Sequence, residues 1–273
     1  MKAGTNIKDG DEMEYKYIQY KLEDGVAVIT FNRPKAWNAL CEELYSEIID
    51  VVRNIDKCEE VRVLILTGGS KVFAAGADIK QMTHATPAQA ARTCERGHML
   101  NDLLEELPFP VIAAINGPAL GGGCELAISC DFRVAGENAV FAFPEVGLGI
   151  LPGAGGTQRM TQLIGSTRTR EMILLGRRIK GWEAYEMGLA TKVVADDQVW
   201  DEALKMAETL KKLPSYACAM AKKAIHMGEL YGMATGKRME QELFSLCFSN
   251  PDQTEGMMAF QEKRTPDFKN GRE

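Results

Sequence analysis

Two glutamates stand where their neighbours would suit proton transfer. Glu125 lies in Gly121-Gly122-Gly123-Cys124-Glu125-Leu126, in the first turn of a short and otherwise apolar predicted helix. A carboxylate there is held beside glycine N–H groups that attract negative charge, and away from bulk water. Glu145 lies in Phe141-Ala142-Phe143-Pro144-Glu145-Val146. The apolar surround of Phe141, Phe143 and Pro144 would raise its pKa, which a proton donor working at neutral pH requires. Either glutamate alone also fits an ordinary helix-start charge or a solvated loop position.

Small residues open the backbone directly after two predicted strands, at Ala74-Ala75-Gly76-Ala77 and at Gly121-Gly122-Gly123. Such points let a ligand or another backbone come close. One N–H from each loop would serve a thioester carbonyl that becomes an enolate, and each preformed donor is worth roughly 3 kcal/mol of barrier. The same glycines also suit tight turns and close helix packing. A third run, Gly153-Ala154-Gly155-Gly156-Thr157-Gln158-Arg159, follows Pro152 rather than an apolar strand. It lacks the Gly-Lys-Ser/Thr ending of a phosphate loop and the last glycine of a dinucleotide loop, and reads as the lead-in to a helix.

The elements that must position these groups alternate between strand and helix. Residues 15–31 read as a hairpin turning at Glu23-Asp24-Gly25. Asn38 is expected to cap a helix whose Leu40, Leu44, Ile48, Val51 and Ile55 recur at helical spacing. Residues 61–69 and 110–117 read as buried strands ending in glycine turns, and 132–136 and 139–143 as short strands. From Gly155 onward the signals are nearly all helical, with helices expected at 197–213, 215–231, 236–248 and 252–264. The expectation is an α/β core over residues 1–196 followed by a helical region over 197–273.

Composition narrows the chemistry. Of 273 residues, 45% are hydrophobic and 26% charged, the proportions of an ordinary globular protein. No apolar run approaches the roughly 20 residues that cross a bilayer. The N-terminal MKAGTNIKDGDEMEYK carries neither a secretory core nor an Arg-rich amphipathic pattern, so a cytoplasmic location away from membranes is expected. A net charge of −6 argues against a nucleic-acid partner. His84, His98 and His226 include no pair four residues apart, and no catalytic metal is expected. The seven cysteines contain no Cys-x-x-Cys spacing and fit reduced thiols.

With these residues in place, the chain resembles the enoyl-CoA hydratase/isomerase, or crotonase, superfamily over nearly its whole length. The matching segments are Asn32-Arg33-Pro34-Lys35 with Asn38-Ala39-Leu40, Ala74 through Lys80, Asn116-Gly117 through Leu126, Pro144-Glu145-Val146, and Leu151 through Arg159. The resemblance implies a repeated ββα spiral core and a C-terminal helical region that forms trimers. It implies that Ala77 and Gly122 supply two oxyanion N–H groups and that Glu125 and Glu145 straddle one water above the double bond of a 2-enoyl-CoA. In the family pattern Glu125 activates the water and Glu145 protonates the α-carbon, with the roles open to sharing because coupled carboxylates do not hold independent protons. No cofactor is implied, since coenzyme A is part of the substrate. Its cradle would involve Arg33, Lys35, Ala36, Ala75, Ala77, Asp78, Ile79, Lys80 and Gly122. Phe260 and Lys263 would reach it from a neighbouring subunit of a homotrimer or homohexamer.

The reaction this implies is hydration to a 3-hydroxyacyl-CoA, because both glutamates are present; family isomerases commonly keep only the one matching Glu145. Alternatives are an unusual acyl-CoA, cyclic dienoyl or crotonobetaine-like, and a non-catalytic assembly or RNA-binding member. Residues 41–60, where some relatives carry a lysine-rich helix, are acidic here, which disfavours RNA. Two departures stand out: Phe143 takes a place where short-chain hydratases often carry Gln, and Trp37 sets a large ring beside the Arg33 segment.

Overall fold

The structure, a computed structural model, describes residues 15–269. Strands β1 (Ile18–Glu23) and β2 (Val26–Phe31) pair antiparallel around Asp24 and Gly25, both at positive φ. That is the tight turn whose twist matches two right-twisted strands, and an Asp-Gly pair adopts it readily. The strands that follow are β3 (Val63–Thr67), β4 (Val111–Ile115), β5 (Pro118–Leu120), β6 (Phe132–Gly136), β7 (Val140–Ala142), β8 (Ile179–Lys180) and β9 (Lys192–Val194). Six form one sheet in the order β1-β2-β3-β4-β6-β9, parallel beyond the hairpin, while β5, β7 and β8 form a smaller second sheet.

The chain thus alternates a main-sheet strand, a short strand of the small sheet, and a helix. β4, β5 and helix Gly122–Ile128 make one such unit; β6, β7 and helix Gly156–Ile164 make the next. This is the repeated ββα arrangement that the resemblance implied. β3 and β4 are buried at every position because both sheet faces are covered. Leu64, Leu66, Ala113 and Ile115 share a core with Leu44, Ile48, Val51 and Ile55 of helix Glu42–Ile55. On the opposite face Val63, Ile65, Ile112 and Ala114 meet Val199, Ala203 and Ala207 of helix Val199–Lys211.

One expectation is corrected. Helix Glu42–Ile55 starts after Cys41 with no side-chain cap, so Asn38 is not its cap. Buried Asn38 instead accepts from the Arg33 N–H (2.9 Å) and donates to the carbonyls of Gly68, Val72 and Phe73 (3.1 to 3.3 Å). It pins the segment before the helix to the loop after β3, where carbonyls leaving the sheet need donors. The chain beyond Gly155 is nearly all helical as expected, with two short strands that the sequence did not announce: β8 joins the small sheet and β9 extends the large one. Strands of two and three residues are too short to declare a period of two, although Val193-Val194 was a β-branched signal.

Helix Ser215–Tyr231 has the expected bounds, and Met233–Cys247 and Pro251–Glu262 each begin before them. Lys222 fastens the first of these to the core through the carbonyls of Leu104 (3.0 Å) and Phe109 (3.2 Å) and the Asp131 carboxylate (2.7 Å). Much of the apolar surface on these helices stays open, including Ile225, Met233, Phe244 and Phe260. Among the described residues no helix is long and apolar enough to cross a membrane. All seven cysteines are free thiols.

Candidate active site

Hydrogen bonds lay the loop after β3 alongside β5, just before Gly121. The Ala74 N–H donates to the Pro118 carbonyl (3.2 Å), and the Leu120 N–H donates to the Ala74 carbonyl (2.9 Å). On its other side this loop is strapped to Leu40, which donates to Gly76 O (2.7 Å) and accepts from the Asp78 N–H (3.1 Å). Gly76, at φ +97, backs onto the Leu120 carbonyl, where a β-carbon would come within 2.9 Å. These bonds leave the Ala77 N–H unused. Gly122 opens helix Gly122–Ile128, whose first N–H groups have no partner inside the helix. Among the described residues neither of these two N–H groups donates to a backbone carbonyl. They are close together, for a β-carbon on Gly122 would lie 3.6 Å from the Ala77 nitrogen.

Glu125 sits one turn further along the same helix and is 3% exposed. Its Oε1 accepts from the N–H groups of Ala154 (2.7 Å) and Gly156 (2.8 Å). Burial pushes its pKa up, and the two N–H groups together with the His98 and Arg159 side chains hold it back. Glu145 opens the short turn Glu145–Leu148, with its carboxyl group against Gly121, where a β-carbon would lie 2.5 Å from Oε1. Its Oε2 is buried with no hydrogen-bond partner among the described residues. Burial, with a smaller contribution from the Glu125 charge, raises its pKa from 4.5 to about 7. An orphaned buried oxygen asks for a water or a substrate atom. Phe143 is fully buried as expected of an apolar surround, and its ring also borders Gly156, beside Glu125.

Leu40 and Tyr45, which bracket Gly122, also line a cleft of about 510 Å3 together with Asp78, Met82, Arg92 and Arg96. Of the expected cradle residues, Asp78 lines this cleft. Lys35 and Ala36 lie in the turn Pro34–Ala36, and Ala75 is tied to that segment by its N–H to the Trp37 carbonyl (3.0 Å). Arg33 is not free for a ligand, because its guanidinium holds Asp78 (3.0 Å) and the Ala39 carbonyl and covers the Tyr17 ring. That pair joins the two segments and leaves Lys35, Ile79 and Lys80 exposed. Phe260 and Lys263 are exposed at the end of helix Pro251–Glu262 and are not brought against the two glutamates within one chain.

Sequence reasoning missed Asn101 and Arg159, which both donate to the Ala154 carbonyl behind Glu125, at 2.8 and 3.1 Å. Asn101 did carry a signal, since it shares the inward stripe of helix Pro87–Glu106 with Gly97, Leu100 and Leu104. A polar side chain at core spacing needs a partner. Among the described residues no group of three or more His, Cys, Asp or Glu side chains is arranged to hold a metal ion.

The model of the enoyl-CoA hydratase/isomerase family matches residues 21–271. The chain belongs to this family. It is 43% identical over 260 residues to the short-chain-enoyl-CoA hydratase of Clostridium acetobutylicum, covering 94% of this chain and 100% of that one. It is 42% identical over 270 residues to the mitochondrial enoyl-CoA hydratase of Pongo abelii, covering 98% and 92%. The crystal structure of enoyl-CoA hydratase from Bacillus anthracis matches with a TM-score of 0.89 at 39% identity, covering 93% of this chain and all of that one. Family and crotonase-like fold therefore stand as the sequence implied.

Proposed function

We propose that this protein is a 2-enoyl-CoA hydratase, adding water across the 2,3 double bond to give a 3-hydroxyacyl-CoA. The observation that carries this reading is the pairing of two buried carboxylates, Glu125 and Glu145, beside two unused N–H groups, Ala77 and Gly122. The thioester oxygen accepts from both N–H groups, and they stabilise the negative charge it gains when the β-carbon is attacked. Glu125, anchored through Oε1, takes a proton from the water as its oxygen bonds to the β-carbon. Glu145, whose raised pKa keeps a proton available near neutral pH, gives that proton to the α-carbon. The proton gained by Glu125 then passes to Glu145 and resets the pair.

The cleft next to Gly122 supplies room for the acyl group, and exposed Lys35 and Lys80 supply positive charge for the phosphates of coenzyme A. Chemistry of this kind needs no cofactor beyond the substrate's own thioester. We place the reaction in the cytoplasm within β-oxidation of fatty acyl thioesters, and place the C-terminal helices from Ser215 at the contacts of a trimer or a dimer of trimers. An absorbance assay of the conjugated enoyl thioester across short, medium, aromatic and cyclic acyl-CoA substrates tests the activity. At least one should lose its conjugated absorbance with formation of the 3-hydroxy product; no hydration of any would overturn the proposal.

A further inference from the structure

Two N–H groups that converge on one carboxylate oxygen must be held from behind when they come from a glycine-rich loop. The loop in question, Ala154-Gly155-Gly156, has little side chain of its own to fix it, and Gly155 sits at φ +100. Its fixed point is the Ala154 carbonyl. Asn101, 2% exposed, donates to that oxygen through Nδ2 at 2.8 Å, and its Oδ1 lies 3.4 Å from Ser129 Oγ. Arg159 donates to the same oxygen through Nη1 at 3.1 Å. Glu105 aims the guanidinium with two bonds, from Nε and Nη2, each 2.6 Å, and Asp102 takes a third at 2.7 Å. A two-pronged pair of this kind fixes direction as well as distance.

We propose that Asn101 and Arg159 are positioning residues for Glu125: by clamping the Ala154 carbonyl they set the two N–H groups that hold Oε1 and leave Oε2 to the reacting water. The inference rests on the reading of Glu125 as the water-activating base. Asp102 and Glu105 offset the charge of Arg159, so the clamp acts through geometry more than through field. Asn101, Asp102 and Glu105 all belong to helix Pro87–Glu106, which makes this helix the backing of the base as well as a wall of the cleft.

The titratable groups coupled to Glu125 are Glu145, Tyr45, Cys94, Cys124, His98 and Arg159. Desolvation raises the pKa of Tyr45, Cys94 and Cys124, away from the acidic limb, so the charges of His98 and Glu145 are the ones to control for. Loss of the clamp frees the two N–H groups, and a buried carboxylate with fewer donors ionises less readily. The acidic limb of kcat then moves to higher pH.

The test compares wild type with Asn101→Leu, Asn101→Gln, Arg159→Lys, His98→Gln and the double variant Asn101→Leu/His98→Gln on 2-butenoyl-CoA across pH, with a thermal melt of each. Asn101→Leu and Arg159→Lys should lower kcat about tenfold near pH 6 with KM within about threefold, the loss expected of a misplaced base. Asn101→Gln should recover part of it, and Asn101→Leu made in a His98→Gln background should move the limb as it does beside wild-type His98. A folded Asn101→Leu or Arg159→Lys variant with the wild-type acidic limb would overturn the clamp, even if its melting temperature fell. Should Asn101→Leu not fold, Arg159→Lys decides. Titration of the Glu125 carboxyl by 13C NMR needs no turnover, can be repeated in a Glu145→Gln background to remove the coupled acid, and separates the two readings. A titration moved up in the variants of an enzyme that hydrates nothing would keep the clamp and refute the hydratase reading; an unmoved titration would refute the clamp.

Discussion

Glu145 carries the largest conflict between burial and charge in the site. Its folded pKa of about 7 lies above the value of 4.5 expected for an unhindered carboxylate. The folded protein therefore favours the protonated acid, and that preference contributes fully below pH 4.5, where the unfolded chain is protonated too. It is lost as pH rises through the folded value, to a cost on the order of 3 kcal/mol once both states are ionised. Glu145→Gln cannot ionise, so the variant should melt like wild type below pH 4.5 and at a higher temperature at pH 8. The same melting difference at both pH values would show that burial does not perturb this acid. Both glutamates were legible from their neighbours and from the family motifs. The Glu125 anchor was not, because its donors lie 29 and 31 residues away and only the tertiary fold brings them to one oxygen.

The loops that carry the two N–H groups depend on elements that tie carbonyls at strand ends. Asn38 is the tightest of these ties, with three carbonyls on one buried amide. Asn38→Ala leaves them without that donor, at about 1 to 3 kcal/mol for an unsatisfied buried group, and loosens the strap that places Ala77. Urea unfolding should read a loss of at least about 2 kcal/mol, together with a lower kcat. An unchanged midpoint would mean that other donors fix this loop. The sequence placed Asn38 at a helix start because its type and its distance from Leu40 fit a cap; nothing local announces a donor to residues 30 positions away. β3, β4 and helix Ser215–Tyr231 were legible for the converse reason, since burial on two faces and uninterrupted helical residues leave local traces. β8 and β9 owe their strand state to neighbours already in the sheet.

At the scale of the molecule, one helix beyond residue 197 covers the main sheet and the three after Pro214 expose apolar side chains to solvent. Phe260, 86% exposed, and Lys263 stand on that outer surface, away from the glutamates of their own chain. The trimer reading gives both a use, and sedimentation should find a mass of three or six chains, with Phe260→Ala raising KM for acyl-CoA more than it lowers kcat. A monomer with full activity would remove that reading and leave the two glutamates untouched. Whether this pair performs the chemistry is decided by Glu125→Gln and Glu145→Gln on a substrate that the wild-type enzyme hydrates. Each should lose at least about a hundredfold in kcat while still binding coenzyme A thioester, as loss of an acid or a base requires. Near-normal hydration by both variants would contradict the mechanism.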